Sequence, residues 1–420
     1  MIRNRLFPVV FSLWGIGIPA TLLFGQLQYV GSYDTPGNPR GVVVISNHAF
    51  VADYTYGLQI VNVSNPASPV LVGGCDTPGN AIGVFVHGNY AYVADYDHGL
   101  QIINVSNPAV PTLVGNYNTA GTAEAVFVAG SYAYVADGLF GLTIIDISTP
   151  SNPTWVGNWD TFGYATGVVV SGQYAYVADF ERGLVVIDVS NPANPVFAGM
   201  YNTTGYSDGV FLSGDYAFVA DRDQGLQVIS VANSSNPLPV GNYNTSGVAY
   251  DVVVSQNYAY IADYYSLQVI DISNPADPTF CDSFATPLMT AVGVFVNGDY
   301  VYLADSDLML IFRFAANDIN ENMNSSPPRQ SAVSQNYPNP FNPATTIEYN
   351  VPWRENVTIE IFDALGQKVR TLVKETKSAG SYRTEWNGND DCGNPVSTGL
   401  YLYRFSAGEV AQTKKMLLIK

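Results

Sequence analysis

Seven aspartates fall 42 residues apart: Asp53, Asp95, Asp137, Asp179, Asp221, Asp263 and Asp305. Each closes a hydrophobic-Ala-Asp triplet, from Val51, Ala52 and Asp53 to Leu303, Ala304 and Asp305. Three copies carry a second acid two residues on, at Asp97, Asp223 and Asp307, and Glu181 does the same in a fourth. Paired acids on one loop can take Ca2+, a hard cation that wants about six to eight oxygens. These loops lack the longer run of ligands that such a site requires. Each aspartate instead ends a strand at a tight turn, where a carboxylate accepts nearby backbone N–H groups. The seven are expected to be structural turn caps, with no metal site and no cofactor; calcium is the alternative.

A second set repeats in position but not in type. The residue just before the first strand of each repeat is Arg40, Ile82, Glu124, Thr166, Asp208, Tyr250 or Val292. Framework positions recur from copy to copy and these do not. Arg40, Glu124, Asp208 and Tyr250 are the candidates for a polar ligand site. Tyr164 and Tyr206, in the same loops, are able to stack on a sugar or a peptide. Catalytic signatures are thin. Only His48, His87 and His98 are present, and they fall on different turns of the repeat. No Gly-x-Ser-x-Gly elbow, HExxH or phosphate loop occurs. A hydrolase built on Glu124 and Asp208 depends on the separation of the two carboxylates, which a sequence does not give.

The elements that position these residues are short strands. In the second copy they run Gly83–Val86, Tyr90–Asp95, Leu100–Val105 and Thr112–Asn118, separated by Gly-Asn, Asp-His-Gly and Ser-Asn-Pro turns. Val, Ile and Tyr dominate the runs and suit pleated surfaces; helical periodicity is missing. A fixed period in the low forties with about four strands per unit is the signature of a β-propeller blade. The ends agree with a ring. An orphan fourth strand, Leu27–Tyr33, opens the repeat region, and the seventh copy stops after its third strand, Leu308–Phe314. Pairing the two completes the last blade and leaves no open seam. The expected fold is all-β: a seven-bladed propeller of four-stranded blades over residues 26–316, with the channel mouth carrying the variable residues.

The repeat resembles the LVIVD-repeat family of propellers, on the segments Leu142–Ser148, Leu184–Ser190 and Leu267–Ser273, each followed by a Pro-containing turn. The resemblance implies an exported bacterial propeller.

Charge and composition separate two regions. Residues 26–316 hold 24 acids against four bases (Arg40, Arg182, Arg222 and Arg313), a net charge near −20 with no lysine. Nucleic acid and anionic membrane surfaces are thereby excluded as partners, since phosphate binding needs Lys and Arg. Residues 317–420 balance 11 acids with 11 bases. Cys75, Cys281 and Cys392 form no disulfide framework or zinc spacing. Arg3 and Arg5 followed by an apolar run from Leu6 to Phe24 read as a signal peptide over residues 1–25. Residues 317–334 are polar and aperiodic and read as a flexible linker.

Residues 335–420 form a second all-β unit, in which Val357, Ile359 and Ile361 alternate with polar residues as in a half-buried strand. A small Ig-like β-sandwich is expected. Asn336–Pro343, Asp363–Gly366, Gly399–Tyr401 and the basic-apolar tail look like the C-terminal sorting domain of type IX secretion in Bacteroidetes-type bacteria. That resemblance implies the type IX machinery as partner and a secreted or outer-membrane location; a plain Ig-like spacer is the competing reading. Together these features point to a monomeric, non-catalytic surface propeller that recognises a glycan or protein. A surface hydrolase and a structural surface-layer component are the alternatives.

Overall fold

The computed structural model describes residues 26–286, 288–315, 332–333, 336, 339, 341–351, 355–363, 366–377, 380–391, 393–407 and 410–419. The expected signal peptide lies outside these residues, as does residue 392. The chain divides into two compact units, one up to Asn317 and the other from Asp318 onward.

The first unit contains seven four-stranded antiparallel sheets. Strand β1 is Gln26–Asp34, and the first blade is β2 (Gly41–Ile45), β3 (His48–Ala52), β4 (Leu58–Asn62) and β5 (Val70–Cys75), paired in chain order. The second blade, at Gly83–His87, Tyr90–Ala94, Leu100–Asn104 and Thr112–Tyr117, shows how closely the strand pattern was legible. Strands β2 and β3 meet through a two-residue loop, since Ile45 pairs with His48. Its first residue takes a left-handed conformation in every blade, as at Ser46 (φ 55°), Gly88 (φ 59°) and Gln256 (φ 53°). That backbone matches the twist of a tight hairpin. In the second and third strands nearly every residue is buried, as in Ala49, Phe50, Val51 and Ala52. Both sheet faces are covered, because each blade packs on its neighbours: Phe50, Leu58 and Ile60 of the first join Val84, Val93 and Ile103 of the second in one apolar cluster.

The seam follows the same rule. β1 pairs with Leu308–Ala315 as the outer strand of the seventh blade. Tyr302, Met309 and Ile311 of that blade pack against Val42, Val51 and Val61 of the first. The innermost strands touch in a cycle, with Ala291–Asn297 returning to β2. A glycine in the outer strand lets the next blade's Pro-containing turn approach: a Cβ on Gly73 would sit 2.4 Å from the Pro108 carbonyl oxygen. Gly31 of β1 stands in the same relation to Pro66, also at 2.4 Å. β1 is therefore a full fourth strand and not merely a filler. The sixth blade is the exception. It has Asp282 at this position, and among the described residues the seventh blade brings no such turn to it. The Asp282 carboxylate instead accepts the Leu27 backbone N–H at 2.7 Å.

The second unit has a three-stranded sheet (Ala332–Val333, Thr345–Val351, Gly380–Trp386) and a four-stranded one (Lys368–Lys377, Glu355–Asp363, Gly399–Ala407, Val410–Leu418). Trp386, Tyr403, Phe405, Phe341 and Ile359 form its core. The Asn336–Pro343 segment has a structural task. The Asn336 side chain donates to the Thr345 hydroxyl at 2.9 Å, and Phe341 packs its ring 5.5 Å from that of Trp386. Ala332–Val333 falls inside the stretch read as linker, yet it pairs with Asn350 and Tyr349. The remaining linker residues, 317–331 and 334, lie outside those described.

Candidate functional site

The seven repeated aspartates are all fully buried. Their partners come mostly from the loop that enters the blade, not from the turn each one ends. Asp95 accepts the Thr77 hydroxyl at 2.6 Å and the Gly79 N–H at 2.9 Å. Asp137 takes Thr119 at 2.6 Å, Gly121 N–H at 3.2 Å and Thr143 at 2.9 Å. Asp221 takes Thr203, Gly205 and Ser207 at 2.6, 3.0 and 2.9 Å. Asp53 holds Gly37 N–H, Asp263 holds Thr245 and Gln268, and Asp305 holds Leu288 and Thr290. Asp179 alone caps its own turn, through Glu181 and Arg182 N–H. The local-cap expectation is thereby corrected for six of them: the carboxylate fastens the crossover loop 14 to 18 residues back to the blade it enters. Burial raises Asp53, Asp95, Asp137, Asp179, Asp221 and Asp263 despite such bonds, and Asp53 reaches about 6. Among the described residues, no group of three or more His, Cys, Asp and Glu side chains gathers as a metal site would.

The out-of-step residues do converge. Arg40, Glu124, Tyr164, Asp208 and Tyr250 line one cavity of about 840 Å³ at the channel. Register explains this. In five of the seven residues that precede an inner strand, the backbone N–H bonds the Ala of its triplet, as Arg40 N to Ala52 O and Glu124 N to Ala136 O, both near 2.8–2.9 Å. All seven residues line the one cavity. Tyr206 does not line the cavity. It is half exposed and stacks on Phe180 with centroids 4.4 Å apart.

A second ring lies one residue after each aspartate: Tyr54, Tyr96, Gly138, Phe180, Arg222, Tyr264 and Ser306. Six of these have left-handed backbone, from φ 39° at Arg222 to φ 53° at Gly138, Tyr264 and Ser306. For a non-glycine residue that conformation costs about 1–2 kcal/mol. Reciprocal hydrogen bonds to the neighbouring blade hold five of the six, all but Ser306, as Tyr54 N to Ala81 O at 3.1 Å and Ala81 N to Tyr54 O at 2.9 Å. Tyr54, Tyr96, Phe180 and Arg222 join the cavity wall. Sequence reading missed this ring, although its variation at the same 42-residue interval was there to see.

The side chains interlock. Arg222 Nε bonds the Asp208 carboxylate, and its guanidinium lies over Phe180 at 4.5 Å and Tyr250 at 4.8 Å. Tyr250 continues to Tyr264 at 5.6 Å. A ladder of flat groups, Tyr206, Phe180, Arg222, Tyr250 and Tyr264, thus spans three blades. The Tyr164 hydroxyl bonds Glu124 and sits 2.7 Å from that of Thr122. Burial lifts the Glu124 carboxyl above its usual range, against the Tyr164 bond and the charge of Arg40, while Asp208 adds to the rise. Burial likewise pushes Asp208 up to about 6 in spite of Arg222. Asp251 stands where the other innermost strands have glycine or alanine. It accepts Val294 N–H at 2.9 Å and Val252 N–H at 2.8 Å, and burial raises it to about 6. Phe85, Phe127, Phe211 and Phe295 add apolar surface to the same cavity wall.

Family comparison covers the repeat region almost completely. The LVIVD repeat model matches seven units: residues 36–77, 78–119, 120–161, 162–203, 204–245, 246–286 and 290–311. The chain belongs to the LVIVD repeat family. Residues 344–410 match the FlgD Ig-like domain. No curated protein matches the chain. Among solved structures, the Cps50 (Swd1) β-propeller domain of Myceliophteria thermophila is similar at TM-score 0.57 and 11% identity, over 69% of this chain and 99% of that one. PorZ of Porphyromonas gingivalis, described as an essential bacterial surface component of the type IX secretion system, is similar at TM-score 0.51 and 14% identity. That likeness covers 92% of this chain but spans only 60% of PorZ. The computationally designed Ika8 protein is similar at TM-score 0.51 and 7% identity, over 66% and 83% of the two chains. At such identities the likeness is one of fold. The LVIVD propeller here is thus an ordinary seven-bladed frame with an individual channel mouth.

Proposed function

We propose that this LVIVD-repeat protein is an exported recognition propeller, displayed at the cell surface or secreted, that binds a glycan or protein through its channel mouth. One observation carries the reading: residues that break the repeat in sequence meet in one cavity, with charged, hydroxyl and aromatic groups side by side. Such a mixture in a concave site is what ligand recognition uses. Delivery by type IX secretion, through residues 335–420, is supported by the sorting-domain resemblance and by the surface role stated for PorZ.

A glycan and matrix-protein array probed with the full chain tests the binding claim. Glu124→Ala with Asp208→Ala should abolish the signal while the protein keeps its fold. Retained affinity in that variant refutes the assignment. Mass spectrometry of the surface fraction tests delivery, and full-length protein held in the cytoplasm refutes it.

A hydrolase is the second reading, favoured by two carboxylates, Glu124 and Asp208, held above their usual range in one cavity. It requires reducing ends or new peptide termini to appear during incubation and to vanish with Glu124→Gln.

A further inference from the structure

Resting on the recognition reading above, we infer that the channel mouth takes an acidic sugar, a uronate whose carboxylate is held by Arg40. Of the four bases in residues 26–316, three donate to partners: Arg182 to the Phe162 carbonyl, Arg222 to Asp208 and Arg313 to Asp299. Arg40 does not. Its Nε is buried and makes no hydrogen bond, while the residue as a whole remains partly open to solvent. A buried donor left without a partner is destabilising, and a ligand acceptor would relieve it. The guanidinium carbon lies over the Tyr54 ring, 5.3 Å from its centroid, a contact that restrains the side chain. A guanidinium edge matches the two oxygens of a carboxylate.

The surroundings select among anions. Arg40 lines the same cavity as Glu124 and Tyr250. Glu124, Asp208 and Glu181 line the same cavity. That field tolerates one negative charge beside one free guanidinium and opposes the second charge of a phosphate monoester. The rest of the wall suits a sugar ring. The Tyr206–Tyr264 ladder offers flat faces, and Glu124, Tyr164 and Thr122 offer a hydroxyl-bonding cluster. An extended peptide is less well served, since it binds by adding to a free backbone edge. Rim backbone is already spent on reciprocal bridges at Tyr54, Tyr96, Gly138, Arg222 and Tyr264.

The test is titration calorimetry of the full chain with paired short oligosaccharides. Galacturonate is set against galactose, glucuronate against glucose and mannuronate against mannose, and tripeptides with free carboxyl ends are included. At least one uronate should bind about tenfold tighter than its neutral partner, the worth of a charge-assisted bond. Arg40→Gln should erase that preference without removing residual neutral binding, and Arg40→Lys should keep part of it. Melting curves confirm that each variant is folded. Equal affinity for acidic and neutral sugars overturns the inference, as does a preference that survives Arg40→Gln, or tripeptides binding where uronates do not. Those results leave the recognition reading standing. Loss of every array signal in the Glu124 and Asp208 variant speaks to the recognition reading alone.

Discussion

Two of the rings built on the 42-residue beat, the aspartates and the residues before each inner strand, have opposite chemistry. The aspartate ring is identical in all seven blades, wholly buried and tied to threonine hydroxyls and backbone N–H groups. The mouth ring differs in every blade, opens into the channel, and leaves at least one donor, Arg40 Nε, unused. The difference teaches how repetition should be read. A residue that recurs to fasten a crossover loop, as in six blades, or to cap its own turn, as Asp179 does, is spoken for by the fold. A residue held at the same address without a repeated type has only the channel to answer to.

Breaking the first ring should hurt stability most. Asp137→Ala strands two hydroxyls and an N–H group in a dry site, and urea unfolding should show a loss of about 3 kcal/mol. The seam comes next. Gly31→Ala pushes a methyl group at the Pro66 carbonyl, and over-packing of this kind costs about 1–3 kcal/mol. Gly88→Ala, whose Cβ would meet nothing within 4 Å, should cost only the left-handed backbone, about 1 kcal/mol. Equal losses at the two sites would show that β1 is not docked as the other outer strands are. Asp282→Ala, which frees the Leu27 N–H, should lose about 1 kcal/mol.

Acid sharpens the contrast in the other direction. Asp53, Asp208 and Asp251 have folded-state values near 6, above the ordinary carboxylate value. The folded chain therefore binds more protons than the unfolded one between roughly pH 4 and 6, and its stability falls as pH rises through that window. Thermal melts should show a midpoint higher at pH 5 than at pH 7.5, by about 5 °C. A lower midpoint at pH 5 would mean that these carboxylates are not held as described. The smallest effect on stability belongs to the mouth: Glu124→Gln should move unfolding by less than about 0.5 kcal/mol.

Much of this was legible in advance, for physical reasons that differ by site. Strand boundaries in the second blade fell within a residue of expectation because period-two β-runs end at turn residues. The completing role of β1 followed from counting strands. The mouth residues were found because an inner strand fixes the direction of the side chain that starts it. Tyr206 was misplaced because it belongs to a loop, where no ladder register sets direction. Arg222 and Tyr54 were overlooked because the residue after a capping aspartate looks like mere turn. The left-handed backbone that aims them inward shows in the sequence only at Gly138. The partners of the aspartates were hidden because Thr77 and Gly79 lie a full loop away from Asp95.

The central claim is that the out-of-step ring is a ligand site and the in-step ring is not. The direct measurement is binding on one glycan and matrix-protein array by the full-length wild type and by the Glu124→Ala, Asp208→Ala variant, each with a melting curve. The account predicts a specific signal for the wild type and none for the variant, at melting temperatures that agree. A variant that binds as the wild type does, or one that loses binding only because it has unfolded, would contradict it.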